Sequence, residues 1–343
     1  MYAPGKVLIL GGGVFNGVTK TTEKIDLTDP ATARFEYAAP MFYARTHLNV
    51  TLLPDGSVLA TGGANAPGTS DADAVLAAEL WTPPTAAAPQ GTWRIMADMS
   101  VPRLYHSTAL LLPDATVLTM GGGQAGYTEH RDYQIFTPPY LCRGLPRPQI
   151  SSAPQAVAYG QSFVVSSPEA SDIVNGGRAT LVRLPSVTHS FDMNQRFLEL
   201  TPTATSPGTD LTLTAPSNAN VCPPGHYMLF LLDSHGTPSH ASIISINTTA
   251  CASAITLSQK SSGSPQNPCE TMARFTVSGG NPGDTYVWTV DGTSLGPAFS
   301  QTSIDVPMDL SRRTVQVTVK VNGSSGCGAS TTFTSYFPGC IEG

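Results

Sequence analysis

Apolar residues in this chain come in short runs separated by Gly, Pro, Asp and Asn, a pattern that predicts strands and turns rather than long helices. Over the first 140 residues the pattern repeats. Gly-Lys-Val-Leu-Ile-Leu-Gly-Gly from Gly5, Gly-Ser-Val-Leu-Ala-Thr-Gly-Gly from Gly56 and Ala-Thr-Val-Leu-Thr-Met-Gly-Gly from Ala115 can be laid over one another. Their starting points are close to the ~50-residue period of a kelch-type propeller blade. The match extends outward: Phe35 precedes Arg45 by the same interval as Trp93 precedes Arg103, and Leu-Leu-Pro-Asp recurs at 52–55 and 111–114. Trp-Thr-Pro-Pro at 81–84 answers Phe-Thr-Pro-Pro at 136–139.

Each unit predicts an apolar strand, a Pro-Asp-Gly-like turn, a second apolar strand, a Gly-Gly step and a more variable outer hairpin. One such unit cannot bury both faces, so neighbours must stack around an axis. About three units are present, whereas propellers close with ~4 to 8. The first copy also lacks the strand that opens the other two. The expectation is a chain incomplete at its N-terminus, with an open blade edge and an apolar face left for a missing N-terminal half or a partner chain.

After residue 140 the repeat stops. Strand-like runs at 162–166, 179–184, 197–200, 212–215, 227–233 and 241–246 predict an immunoglobulin-like β-sandwich over 141–248. Residues 251–343 predict a second immunoglobulin-like module, with Trp288 lying between Cys269 and Cys327 in sequence and an alternating run at 314–321. The expected fold is therefore all-β: a partial kelch-type propeller over 1–140 and two sandwiches.

Composition agrees. Charged residues make up only 12%, with 32 Gly and 29 Pro, a profile suited to many turns. A net charge of −6 with no block of Lys or Arg gives nucleic acid no phosphate-neutralising patch. The apolar runs are far shorter than the ~20 residues that span a bilayer, and no export signal is visible at the N-terminus. All six cysteines lie from Cys142 onward, none in a C-x-x-C pair. That spread predicts disulfides and a secreted or extracellular protein.

Two segments are candidates for chemistry. Arg-Leu-Tyr-His-Ser at 103–107 opens the inner strand of the third repeat. Tyr and His also pack in half-buried strands, and neighbours on a regular strand point to opposite faces. The repeats set the tyrosine apart: counting back from Leu-Leu-Pro-Asp, His47 matches His106, but Thr46 stands where Tyr105 does. Counting forward from Arg45, one residue is missing. The second segment, Thr-His-Ser-Phe-Asp-Met-Asn-Gln-Arg at 188–196, is a polar stretch between two strands, suited to a functional loop or to a plain surface hairpin. His226, His235 and His240 are explained by strands and turns. Asp71, Asp73 and Glu79 fall in an outer hairpin and are expected to be solvated. No Gly-x-Ser-x-Gly or phosphate-binding loop supports a hydrolase or a nucleotide site.

The 103–107 segment followed by Leu-Leu-Leu-Pro-Asp and Gly-Gly-Gly resembles the copper-ligand blade of the galactose oxidase and glyoxal oxidase family. Phe-Thr-Pro-Pro-Tyr-Leu at 136–141, Thr188 and His189 with Asn-Gln-Arg at 194–196, and Pro-Gly-His-Tyr-Met-Leu-Phe at 224–230 with Pro-Ser-His-Ala-Ser at 238–242 resemble its junction and C-terminal domain in the same order. The resemblance covers roughly 1–248. It implies a copper-radical oxidase that oxidises a primary alcohol, aldehyde or carbohydrate with O2. His106 and His189 would be imidazole ligands of copper, and Tyr105 the axial tyrosine that acts as base. The family's radical cofactor, a tyrosine cross-linked to a cysteine, comes from earlier blades, and no cysteine precedes Cys142 here. The rival expectation is a non-catalytic extracellular scaffold that binds glycan or protein.

Overall fold

The computed structural model describes residues 1–13, 17–124, 126–205, 208–247, 256–264, 267–278, 285–296, 301–308, 314–322 and 328–336. The fold is almost wholly β, with one short α-helix, Ala170–Val174, among the described residues. Three antiparallel sheets follow one another along the repeats. The middle one has four strands, Asn49–Leu52, Val58–Thr61, Ala77–Thr82 and Thr92–Asp98, paired in sequence order. The first holds Lys6–Leu10, Thr22–Asp26 and Phe35–Tyr37, the counterparts of its second to fourth strands. The last holds Ser107–Leu111, Val117–Gly121 and Tyr133–Phe136.

The recurring motifs have physical causes. In the Pro-Asp turns, Asp55 Oδ1 accepts from Ser57 N and Oγ, and Asp114 Oδ1 from Thr116 N and Oγ1. The next position must be left-handed, with φ 84° at Gly56 and φ 67° at Ala115. The Gly-Gly step is where one blade meets the next. Gly12 N donates to Arg45 O at 2.7 Å, and Gly63 N to Arg103 O at 2.8 Å. A Cβ on Gly62 would strike Arg103 O. The two arginines recur because their guanidiniums, fully buried, tie each inner strand to its own blade: Arg45 Nη1 donates to Gly62 O and Arg103 Nη1 to Gly121 O.

The carboxylates of the outer hairpin depart from expectation. Glu79 is fully buried and accepts from Arg45 Nη2 at 2.7 Å and from Phe42 N at 2.6 Å. Burying that charge is tolerable only because a guanidinium and peptide N–H groups surround it. Asp71 is not freely solvated either, since it contacts His130 at 3.0 Å.

The sandwich pairs Ser242–Asn247, Gly225–Leu232, Arg178–Arg183 and Phe197–Leu200 in one sheet, and Ser162–Ser166, Asp210–Thr214 and Thr203–Thr205 in the other. Blades and sandwich form one compact unit, covering 1–155 and 160–246. Val182, Phe197, Met228, Phe230 and Leu232 share a core with Leu53, Leu59, Trp81 and Val117. Polar ties cross the same boundary: Thr180 Oγ1 donates to Pro54 O, and Arg178 Nη2 to Asp55 O. At the junction itself Tyr140 Oη donates to Ala115 O. The hydroxyl of Tyr140 is held well above its ordinary pKa by burial.

A second compact unit contains 156–159 and 247–343. It has a sheet of Thr256–Ser264, Asn267–Ser278 and Ser303–Met308, and another of Thr293–Ser294, Thr285–Val290, Thr314–Asn322 and Gly328–Tyr336. Val315, Val317 and Val319 point inward beside Trp288, as the alternating run predicts. The expected disulfides find no support in the described cysteines: Cys142 and Cys222 both carry thiols. Cys251, Cys327, Cys340 and the side chain of Cys269 lie outside the described residues. No helix among the described residues is long and apolar enough to cross a membrane.

Candidate metal centre

The inner strand of the last blade begins at Ser107, so Tyr105 and His106 are not on it. A turn closed by Ser107 N donating to Leu104 O places His106 at φ 64°. Leaving the strand removes the alternation that would send the two side chains to opposite faces. Their rings pack instead, with centroids 3.9 Å apart.

His189 reaches the same place from the sandwich. Val187–Thr188 and Phe191–Asp192 form a hairpin whose two-residue loop, His189 and Ser190, has φ 50° and 66°. Both being left-handed is the requirement of a type I′ turn, which favours Asn-Gly. His-Ser carries no such signal, so the sequence shows the stretch but not the turn. The base of the hairpin is tied to the middle blade: Gln195 Nε2 donates to Val50 O at 2.7 Å, and Gln195 Oε1 accepts from Leu52 N at 2.8 Å. His189 thereby stands 5.0 Å from His106 and 5.6 Å from Tyr105, centroid to centroid.

A third imidazole adjoins them. His47, at φ 57°, meets Tyr105 edge-on at 5.2 Å. Burial holds its pKa below the ordinary histidine value, favouring neutral imidazole. The repeat alignment located it, but only the fold shows it beside the tyrosine. Left-handed histidines at 47, 106 and 189 store backbone strain at a solvent-open spot, a feature that concentrates at functional sites.

His106 Nδ1 lies 3.0 Å from Gly123 O. A carbonyl only accepts, so Nδ1 carries the proton and Nε2 presents its lone pair. His189 Nδ1 is engaged by Thr188 Oγ1 at 2.7 Å. Metal-binding histidines are commonly oriented by a partner on the other ring nitrogen in this way. No group of three His, Cys, Asp or Glu capable of holding a metal occurs among the described residues. A metal here would therefore need the phenol oxygen as well. Two imidazoles and a phenol form a nitrogen and oxygen donor set that suits copper(II), and these residues fit it. His226, His235 and His240 belong to no such group either.

The Galactose oxidase-like, Early set domain family matches residues 147–246. The chain is 34% identical over 255 residues to a galactose oxidase of Gibberella zeae, an alignment covering 71% of this chain and 36% of that protein. With an aldehyde oxidase GLOX of Vitis pseudoreticulata it shares 36% identity over 155 residues, covering 41% of this chain and 29% of the relative. A solved fungal alcohol oxidase of the AA5 family, in complex with copper, superposes with a TM-score of 0.65 at 30% identity, over 72% of this chain and 53% of that one. The chain spans about a third of the length of the galactose oxidase it matches.

Proposed function

Because this chain belongs to the galactose oxidase and glyoxal oxidase family, we propose that its centre binds copper and serves the oxidation of a primary alcohol or aldehyde outside the cell. The observation that carries this reading is the convergence of Tyr105, His106 and His189 from two parts of the fold. His106 Nε2, His189 Nε2 and the Tyr105 hydroxyl oxygen would hold the ion. Bound there, copper supplies a Lewis acid and a one-electron redox partner.

The chain's own residues account for the rest. Gly123 O and Thr188 Oγ1 hold the two imidazoles from behind, so neither ring must be reoriented when a substrate arrives. Tyr105 is half-buried and is the group we assign as base: as the phenolate it would take the substrate hydroxyl proton onto its oxygen and become the neutral phenol. For an alcohol the overall change is RCH2OH + O2 → RCHO + H2O2: two electrons and two protons leave the substrate and reach oxygen. Copper alone accounts for one of those electrons, and residues 1–141 contain no cysteine to form the family's cross-linked tyrosine. Copper binding and proton transfer are therefore assigned to this chain, and the second electron to none of its described residues. A copper-binding protein without turnover is the second reading, since none of the described residues is assigned the second electron.

The test is to load the purified protein with Cu(II), measure stoichiometry and EPR, and follow H2O2 with primary alcohols and aldehydes. One copper per chain with nitrogen hyperfine structure, lost in both His106→Ala and His189→Ala, is expected. Unchanged copper affinity in both variants rejects the site. Binding without peroxide selects the second reading.

A further inference from the structure

The carbonyl that orients His106 is itself held by a loop, and that loop is clasped from the neighbouring blade. Gly123 N donates to Tyr105 O at 2.8 Å while Gly123 O accepts from His106 Nδ1, so one glycine braces both residues. It sits at φ 132°, and a Cβ there would come within 2.7 Å of Glu129 Cα. The loop folds back on itself, with His130 N donating to Gly122 O at 2.8 Å. The His130 side chain leaves the last blade altogether: its Nε2 lies 3.0 and 3.1 Å from the two oxygens of Asp71, with only 14% of the histidine side chain exposed.

Asp71 belongs to the middle blade, where Ser70 Oγ caps the short turn by accepting from Ala72 N. Asp73 O accepts from Asn65 N, and Ala64 bonds reciprocally with Thr46, the residue before His47. The contact therefore closes a bracket across the two blades, with supports of the site on both sides. The proposed reaction leaves both residues unused.

We propose that His130 and Asp71 are positioning residues that hold the Gly123 carbonyl against His106 Nδ1 and so keep Nε2 presented to the metal. For its metal arm this rests on the copper reading above; its tautomer arm does not.

The test uses the full chain with 15N-labelled histidine. In metal-free protein, the seven histidines give long-range 1H–15N signals, with His106 assigned by its loss in His106→Ala. The wild type is expected to show His106 as the Nδ1–H tautomer. His130→Ala and Asp71→Ala are expected to turn it into a mixture of both tautomers and to weaken Cu(II) binding about tenfold or more. Melting temperature should fall by no more than about 4 °C. Asp71→Asn, whose amide oxygen still accepts from His130, should restore both readouts, and the variant keeps the loop folded should either alanine unfold it. A tautomer change in protein that binds no copper would uphold the clasp and overturn the copper reading. An unaltered Nδ1–H tautomer with wild-type copper affinity in both alanine variants would overturn the clasp.

Discussion

The imidazoles of His106 and His189 meet edge-on, with ring centroids 5.0 Å apart and planes at 77°. Both residues are exposed and left-handed, so the fold gains little from either side chain and bears the strain of both. Replacing either by glycine is expected to leave stability unchanged or raise it by up to about 1 kcal/mol, while weakening copper binding more than about a hundredfold. Urea titration and competition with a copper chelator measure the two effects separately. A large loss of stability in both variants would mean that the rings serve packing.

Arg45 and Glu79 are a buried pair whose partners cannot be removed singly. Burial pushes the Arg45 pKa down while Glu79 raises it. Glu79→Ala would strand that guanidinium without its counter-charge, and a loss of about 3 to 5 kcal/mol is expected. An equilibrium urea midpoint close to wild type would contradict this.

Gly56 and Ala115 occupy the same left-handed turn position in successive blades. Ala115→Gly should stabilise by up to about 1 kcal/mol, since it relieves an L-residue at positive φ. Gly56→Ala should destabilise by about 1 to 2 kcal/mol: it adds that strain and brings a Cβ to 3.1 Å from Phe197 Cζ. Opposite signs in the two denaturation midpoints are the signature sought.

Acid sensitivity should include Asp172. Its pKa is lowered because Ser234 N and Ser234 Oγ donate to the carboxylate. The unfolded chain therefore takes up the proton first, and the stabilisation is complete above the unfolded value of about 3.9 and fades as pH falls through the lower folded one. The stability gap between wild type and Asp172→Asn should be open at pH 7 and narrow as pH falls below the unfolded value toward the lower folded one. A gap independent of pH would count against the hydrogen-bonded carboxylate as its source.

Much of the fold was legible because its signals are local. The Gly-Gly steps, the Pro-Asp turns and the alternation at 314–321 depend on φ, on a side chain reaching two residues along, or on a period of two. Each was in place where the motifs put it. Residues 105, 106 and 189 were legible in a weaker sense, through resemblance to a family rather than through anything local.

Tertiary structure decided the rest. That Tyr105 and His106 face one spot follows from a turn that ends before the strand begins, and the apolar pattern of the strand does not encode it. His-Ser at 189 and 190 adopts a turn its residue types do not favour, held by the bonds of Gln195 to the middle blade. Glu79 reads as a surface carboxylate in the sequence, and only the packing of Arg45 beside it accounts for its burial. The sequence by itself determined the strands and turns of the blades and sandwiches, because those depend on neighbours along the chain. Which donors meet, and which charges are buried, depends on contacts between residues far apart in the chain, and only the packing of blade against blade and against the sandwich could settle them.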